Sequence, residues 1–148
     1  MGNCICIDCF LSKKTNDIKL YKLTGNYRAK VVDVYDGDTI TIIIINKCGF
    51  EKHKLRLYGI DTPEMKPLLS DPNRDEIKQK ALESKTKLSE LILNKIITVE
   101  LMGTEKYGRL LGNVYTSYMY SKININKYMV DNNYAYEYFG GTKKTNQI

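Results

Sequence analysis

The period of the apolar positions changes three times along this chain, and each change marks a new kind of element. "AKVVDVYD", from Ala29, alternates weakly between apolar and polar and predicts a strand, which a "GD" turn closes. "TITIIIIN", residues 39–46, is β-branched almost throughout, as suits a strand buried on much of both faces. "KCG" reads as a hairpin turn. "FEKHKLRLY" is the return strand, with Leu55 and Leu57 on one face and Arg56 on the other. After the loop "MKPLLSDPNR" the period lengthens. From about Asp75 to Asn94, the residues Ile77, Ala81, Leu88, Leu91 and Ile92 fall on one side of an amphipathic helix. "IITVELM" returns to strand, "GTEKYGR" is a loop, "LLGNVYT" and "YMYSKI" form a hairpin, and "NINKYMVDNNYA" is a short helix.

Three strands, a helix, two or three strands and a helix predict an α+β chain. A small closed β-barrel of the oligonucleotide/oligosaccharide-binding type fits that order better than a parallel sheet. With 148 residues the chain forms one domain with a real core. The domain is expected over 28–139. A basic, polar linker precedes it within 1–27, and a loose tail follows at 140–148. No internal repeat interrupts it, and no apolar run reaches membrane-spanning length.

A formal charge of +6 and a pI near 9.0 point to an anionic partner, nucleic acid or a phospholipid surface. Codon bias is the rival explanation, since Lys, Ile, Asn and Tyr are all abundant. One feature resists it. Of 23 basic residues only four are arginine: Arg28, Arg56, Arg74 and Arg109. Where lysine is the default, an arginine offers a bidentate fork that fits a phosphate.

Three separated segments place polar groups at strand ends or turns. "DVYDGDT" supplies Asp33, Asp36 and Asp38. "RLYGIDTPE" supplies Arg56, Asp61 and Glu64. "EKYGR" supplies Lys106, Tyr107 and Arg109. Taken singly, each is an ordinary turn or basic loop. Together they hold acids that can gather a hard cation through oxygen, arginines that can grip a phosphate from two sides, and a carboxylate that can take a proton from water. Those are the parts for metal-assisted attack on a phosphodiester.

"DVYDGDTI", "RLYGIDTPE" and "EKYGRLLGNVY", in this order and spacing, resemble the staphylococcal nuclease family over about Lys30 to Phe139. The resemblance implies a five-stranded barrel with about three helices, and Ca²⁺-dependent endonucleolytic hydrolysis of DNA and RNA leaving 3′-phosphate ends. It puts the metal aspartates at Asp38 and Asp61, with Thr62 ligating through its carbonyl. It puts the general base at Glu64, the phosphate clamp at Arg56 and Arg109, and contacts to a neighbouring phosphate at Lys106 and Tyr107. It also implies a C-terminal helix, where "NNYAYEYF" departs from the family's usual glycine and small apolar residues. Tyr136, Tyr138 and Phe139 are the candidates there for stacking on a base. The Tyr115–Ile123 hairpin is a few residues longer than the common pattern. The expected substrate is single-stranded or frayed DNA and/or RNA, and the expected state a monomer. Two other readings stand beside the nuclease: a non-catalytic nucleic-acid-binding barrel, and a membrane-tethered interaction module.

The remaining chemistry lies near the start. Gly2 follows Met1, as N-myristoylation requires, although Cys6 stands where Ser or Thr is usual. Cys4, Cys6 and Cys9 offer palmitoylation sites, and Lys13, Lys14, Lys19 and Lys22 could meet anionic lipid. A "CxCxxC" metal cluster lacks a fourth ligand nearby, and a plain disordered end is the third alternative. With no secretory signal and cysteines crowded at one end, an intracellular setting is expected, with membrane anchoring if the terminus is acylated. His53, between two lysines, is expected on the solvated surface, and Cys48 in a turn.

Overall fold

The computed structural model describes residues 11–15, 22–46, 49–118 and 121–141. The chain runs through β1 (Gly25–Val34), β2 (Thr39–Asn46), β3 (Gly49–Leu57), β4 (Ile60–Asp61), α1 (Arg74–Ile92), β5 (Ile96–Thr104), β6 (Leu110–Tyr118), β7 (Ser121–Asn124), α2 (Ile125–Asp131) and β8 (Tyr136–Glu137). Strands β3, β2, β1, β5 and β6 are antiparallel neighbours in that order. A parallel pairing of β3 with β6, Leu55↔Leu110 through Leu57↔Gly112, closes the ring. β7 extends β6 as a hairpin. This is the five-stranded α+β barrel that the pattern predicts.

Closure follows from the strand alternation. Ile40, Ile42 and Ile44 of β2, Leu55 and Leu57 of β3, Ile97 and Val99 of β5 and Val114 of β6 all point inward and are buried. Thr39 and Thr41 are buried too, so β2 is covered on both faces at its start, as its unbroken β-branched run indicates. Helix α1 buries Ile77, Ala81, Ser84, Leu88 and Ile92. Leu88 and Ile92 enter the barrel core, as do Ile125 and Met129 of α2. Each such side chain contributes roughly 1.5–3 kcal/mol by leaving water. Asp75 and Glu76 sit at the positive end of the α1 dipole. Leu23, ahead of β1, is also part of the core.

The described residues hold two complete helices, α1 and α2. One expectation needs correcting: "NNYAYEYF" is not a helix. Asn133 adopts a left-handed φ of 61°, and the N–H groups of Tyr134 and Ala135 both turn back to the Met129 carbonyl, at 2.9 and 3.1 Å. That stops α2, and the chain then pairs with β4 through Ile60↔Glu137 and Asp61↔Tyr136. His53 stays at the surface, its side chain 30% exposed, with Nε2 3.0 Å from Glu51 Oε2 on the same strand.

A buried asparagine ties α2 to the closure of the barrel. The Asn126 carbonyl accepts the Val114 N–H at 2.9 Å, and its amide donates to the Tyr58 carbonyl at 2.9 Å and the Gly112 carbonyl at 3.3 Å. Truncation removes this partner from the Val114 N–H and the Tyr58 carbonyl, while the Gly112 carbonyl keeps the Tyr58 N–H at 2.8 Å. Asn126→Ala is therefore expected to destabilise the fold by about 1–3 kcal/mol. Urea unfolding would show this as a lower midpoint at unchanged slope; an unchanged midpoint would mean the amide is dispensable.

Candidate active site

The Asp36 carboxylate organises the turn between β1 and β2. Its Oδ1 accepts the N–H of Asp38 at 3.1 Å and of Thr39 at 2.7 Å, an arrangement that short acidic side chains form readily. Gly37 lets the turn pack closely. A Cβ there would lie 2.7 Å from Ser84 Cβ and 2.8 Å from Thr62 Cγ2. Asp38 is thereby held at the mouth of the barrel, beside the first pair of the β2–β3 ladder, Thr39↔Arg56. Past β3, Gly59 turns with a φ of 76° and β4 delivers Asp61.

The two acids meet on one guanidinium nitrogen. Arg56 Nη2 lies 2.8 Å from Asp38 Oδ2 and 2.7 Å from Asp61 Oδ1. Thr39 Oγ1 donates to Asp38 Oδ1 at 2.7 Å and accepts from Arg109 Nη1 at 3.2 Å. Arg109 also pairs through Nε with Glu105 Oε1. On the far side the Tyr136 hydroxyl donates to Asp61 Oδ2 at 2.9 Å. A continuous set of contacts thus runs Glu105–Arg109–Thr39–Asp38–Arg56–Asp61–Tyr136.

Asp38, Asp61 and Thr62 are buried, at 3%, 3% and 5% exposure. Burial pushes the Asp38 carboxyl up to about 7, against the pull of Arg56, with Asp36 and Asp61 adding to the rise. Burial also pulls on Arg56, but the two aspartates outweigh it, so the guanidinium stays charged. One arginine therefore leaves this acid pair short of positive charge.

That shortage suits a hard cation. Asp38 and Asp61 offer hard oxygen donors of the type such a cation takes, one oxygen of each already on Arg56 Nη2. Among the described residues no group of three or more His, Cys, Asp and Glu could hold a metal ion by itself.

The other predicted residues lie around this set. Glu64 is exposed on the loop three residues past Asp61. Lys106 and Tyr107 are exposed on the β5–β6 turn that carries Arg109, with Lys106 Nζ 4.8 Å from the Tyr107 ring centre. Asp33 is exposed on β1, outside the contact chain. Tyr138 donates to the Gly141 carbonyl, and Phe139 packs edge-on against Tyr58. Gly2, Cys4, Cys6, Cys9 and Cys48 lie outside the described residues. Thr39 and Glu105 carry contacts that the motifs do not announce, and Tyr136 is engaged with Asp61.

A profile described as "Staphylococcal nuclease homologue" matches residues 54–148. The chain belongs to the staphylococcal nuclease family. The matched segment holds Arg56, Asp61, Glu64 and Arg109; Asp38 lies upstream of it. An "Uncharacterized endonuclease" of Escherichia coli O157:H7 is 31% identical over 116 residues, covering 78% of this chain and 64% of the relative. One from Haemophilus influenzae is 33% identical over 109 residues, 74% of this chain and 51% of the relative. A "Micrococcal nuclease" of Shigella flexneri is 29% identical over 123 residues, 78% and 62%. The chain spans less than two thirds of the length of these curated relatives.

Asp38 generates a stability prediction. Its folded pKa lies above the ordinary 3.8, so the fold binds an extra proton in that interval. Stability from this group is highest at low pH and falls as pH rises from about 4 to about 7. Asp38→Asn removes the buried charge and its titration, but its single oxygen cannot serve both Thr39 Oγ1 and Arg56 Nη2, which bind different Asp38 oxygens. In excess chelator wild type is therefore expected to lose stability relative to this variant as pH rises from about 4 to about 7. Thermal melts followed by circular dichroism across that range would check it, and a difference that does not change with pH would contradict the charge shortage.

Proposed function

We propose that this chain is a Ca²⁺-dependent endonuclease that hydrolyses phosphodiester bonds of DNA and/or RNA, with single-stranded or frayed substrate preferred and 3′-phosphate ends as product. The observation that carries the reading is the joining of two acids and two arginines in one contact set at the mouth of the barrel.

Asp38, Asp61 and the Thr62 carbonyl would hold Ca²⁺, which supplies positive charge against the phosphate when bound. Both aspartates use Arg56 Nη2, so Nη1 and Nε remain to meet a phosphoryl oxygen. Arg109 approaches from the β5–β6 turn, steadied by Glu105 and Thr39. Charge grows on the phosphoryl oxygens in the transition state, and two pre-positioned guanidinium groups stabilise it there without reorganising. Glu64, exposed on the loop three residues past Asp61, takes the proton from the attacking water. The water oxygen bonds to phosphorus, the bond from phosphorus to the 5′ oxygen breaks, and that oxygen takes up a proton. Lys106 and Tyr107 would contact the next phosphate, since their turn carries Arg109.

Cleavage of single-stranded DNA with Ca²⁺ and with excess chelator is the deciding assay. Activity with Ca²⁺, none with chelator, and ends that need dephosphorylation before 3′ extension are expected. Binding without cleavage would make the chain a non-catalytic barrel, and full activity in chelator would remove the metal.

Two sets of substitutions test the roles. Glu64→Gln keeps the shape but cannot take the proton, so turnover should fall roughly 10²–10⁴-fold with the melting temperature unchanged. Arg56→Lys and Arg109→Lys keep the charge and lose the fork, each costing about 10²-fold or more. Wild-type turnover in Glu64→Gln would move the base elsewhere, and equal activity of both Lys variants would rule out bidentate contact.

A further inference from the structure

The opposite end of the β2–β3 ladder carries a different surface. Phe50 and Ile45 are cross-strand partners beside the hairpin end and are 81% and 61% exposed. Lys30, on the neighbouring strand, lies opposite Ile43 on one side and Ile96 on the other, and Ile96 is 54% exposed. These residues and Arg28 line an open, apolar groove of about 390 Å³. Arg28 is held over β5 by a 3.1 Å hydrogen bond from Nη1 to Thr98 Oγ1. No acidic residue lines the groove.

Large apolar side chains this exposed cost free energy unless something covers them. A cation-rimmed apolar patch matches the boundary layer of an anionic bilayer, where rings and aliphatic groups enter below the phosphates and basic groups stay level with them. Nucleic acid supplies the phosphates but gives isoleucines little to pack against. A second copy of this chain would set Arg28 and Lys30 against the same charges across a two-fold interface. Strand β1 begins at Gly25, three residues before Arg28.

We propose that the outer β-sheet face formed by Phe50, Ile45, Ile43 and Ile96, with Arg28 and Lys30, docks on an anionic phospholipid membrane. Phe50 and Ile45 insert, and the two cations meet lipid phosphates. The candidate active site lies along the same ladder at Thr39↔Arg56, six pairs from Ile45↔Phe50, or about 20 Å at 3.3 Å per residue. Docking leaves that site open to solution. The inference does not depend on whether the site cleaves anything.

The test uses the full chain made without acylation, so that any binding comes from the protein surface. It should sediment with phosphatidylcholine vesicles doped with phosphatidylserine, and much less with phosphatidylcholine alone or at high salt. Phe50→Asp with Ile45→Asp should weaken vesicle binding roughly tenfold or more, and Lys30→Ala about fivefold. Because these side chains are exposed, melts should show all variants folded. A wild type that stays in the supernatant overturns the proposal, as does a double variant that sediments as well as wild type. Two further results would reassign the face. Dimerisation abolished by the double substitution gives it to a second copy, and lost affinity for single-stranded DNA gives it to nucleic acid. A monomer with unchanged DNA affinity supports the membrane.

Discussion

Arg56 Nη2 holds two carboxylates that could not otherwise share a buried position. Asp38 and Asp61 arrive from a turn and a two-residue strand, neither with much apolar surface of its own. The guanidinium reaches both because Arg56 stands where the barrel closes: β3 is antiparallel to β2 on one side and parallel to β6 on the other. Breaking such a pair by removing one partner costs about 3–5 kcal/mol. Keeping it is still not a stabilising device in the ordinary sense, since Asp38 remains short of positive charge. Under the proposed function, that shortage is what a bound cation would relieve.

The set is held by groups that do no chemistry. Gly37 allows the Asp38 turn to rest on Thr62 and Ser84. Ser84 donates to the Tyr134 carbonyl at 2.6 Å, and the chain then passes through Ala135 to Tyr136, which holds Asp61. The supports therefore close on themselves, from the Asp38 turn through α1 and β8 to Asp61, and through Arg56 back to Asp38. Asn126 fixes the neighbouring closure from below. A ring of this kind limits how far either acid can drift when one contact is lost, and small errors in position are costly at a reacting centre.

Local signals explain what could be read from the sequence. The barrel strands and α1 were legible because their apolar positions keep a steady period, and Asp38, Arg56 and Asp61 because each stands in a short motif at a strand end. Thr39 could have been found, since it is the residue facing Arg56 once the hairpin is registered. Tyr136 stands out in the sequence only as a candidate for stacking on a base, and neither its contact with Asp61 nor the roles of Asn126 and Ser84 could be read there. Tyr136 meets Asp61 across 75 residues, Ser84 meets Tyr134 across 50, and Asn126 meets Tyr58 across 68. A single hydroxyl or amide leaves no periodic trace of a distant partner. The same reason defeats the helix expected over "NNYAYEYF": nothing local shows that β4 is waiting to pair with it, and tertiary pairing overrides propensity.

The net charge of +6 does not choose a partner, but its arrangement divides the surface. At the candidate active site the cations interleave with acids and with the exposed ring of Tyr107. At the hairpin end they border an apolar groove whose described lining includes no acid. The two surfaces are about 20 Å apart along the ladder, and at physiological salt the screening length is about 8 Å. A polyanion gripped at one end is therefore nearly invisible to charges at the other. One barrel can present two anion-seeking surfaces of different chemistry without either competing for the other's ligand, because the strand length that gives β2 its buried core also sets the separation.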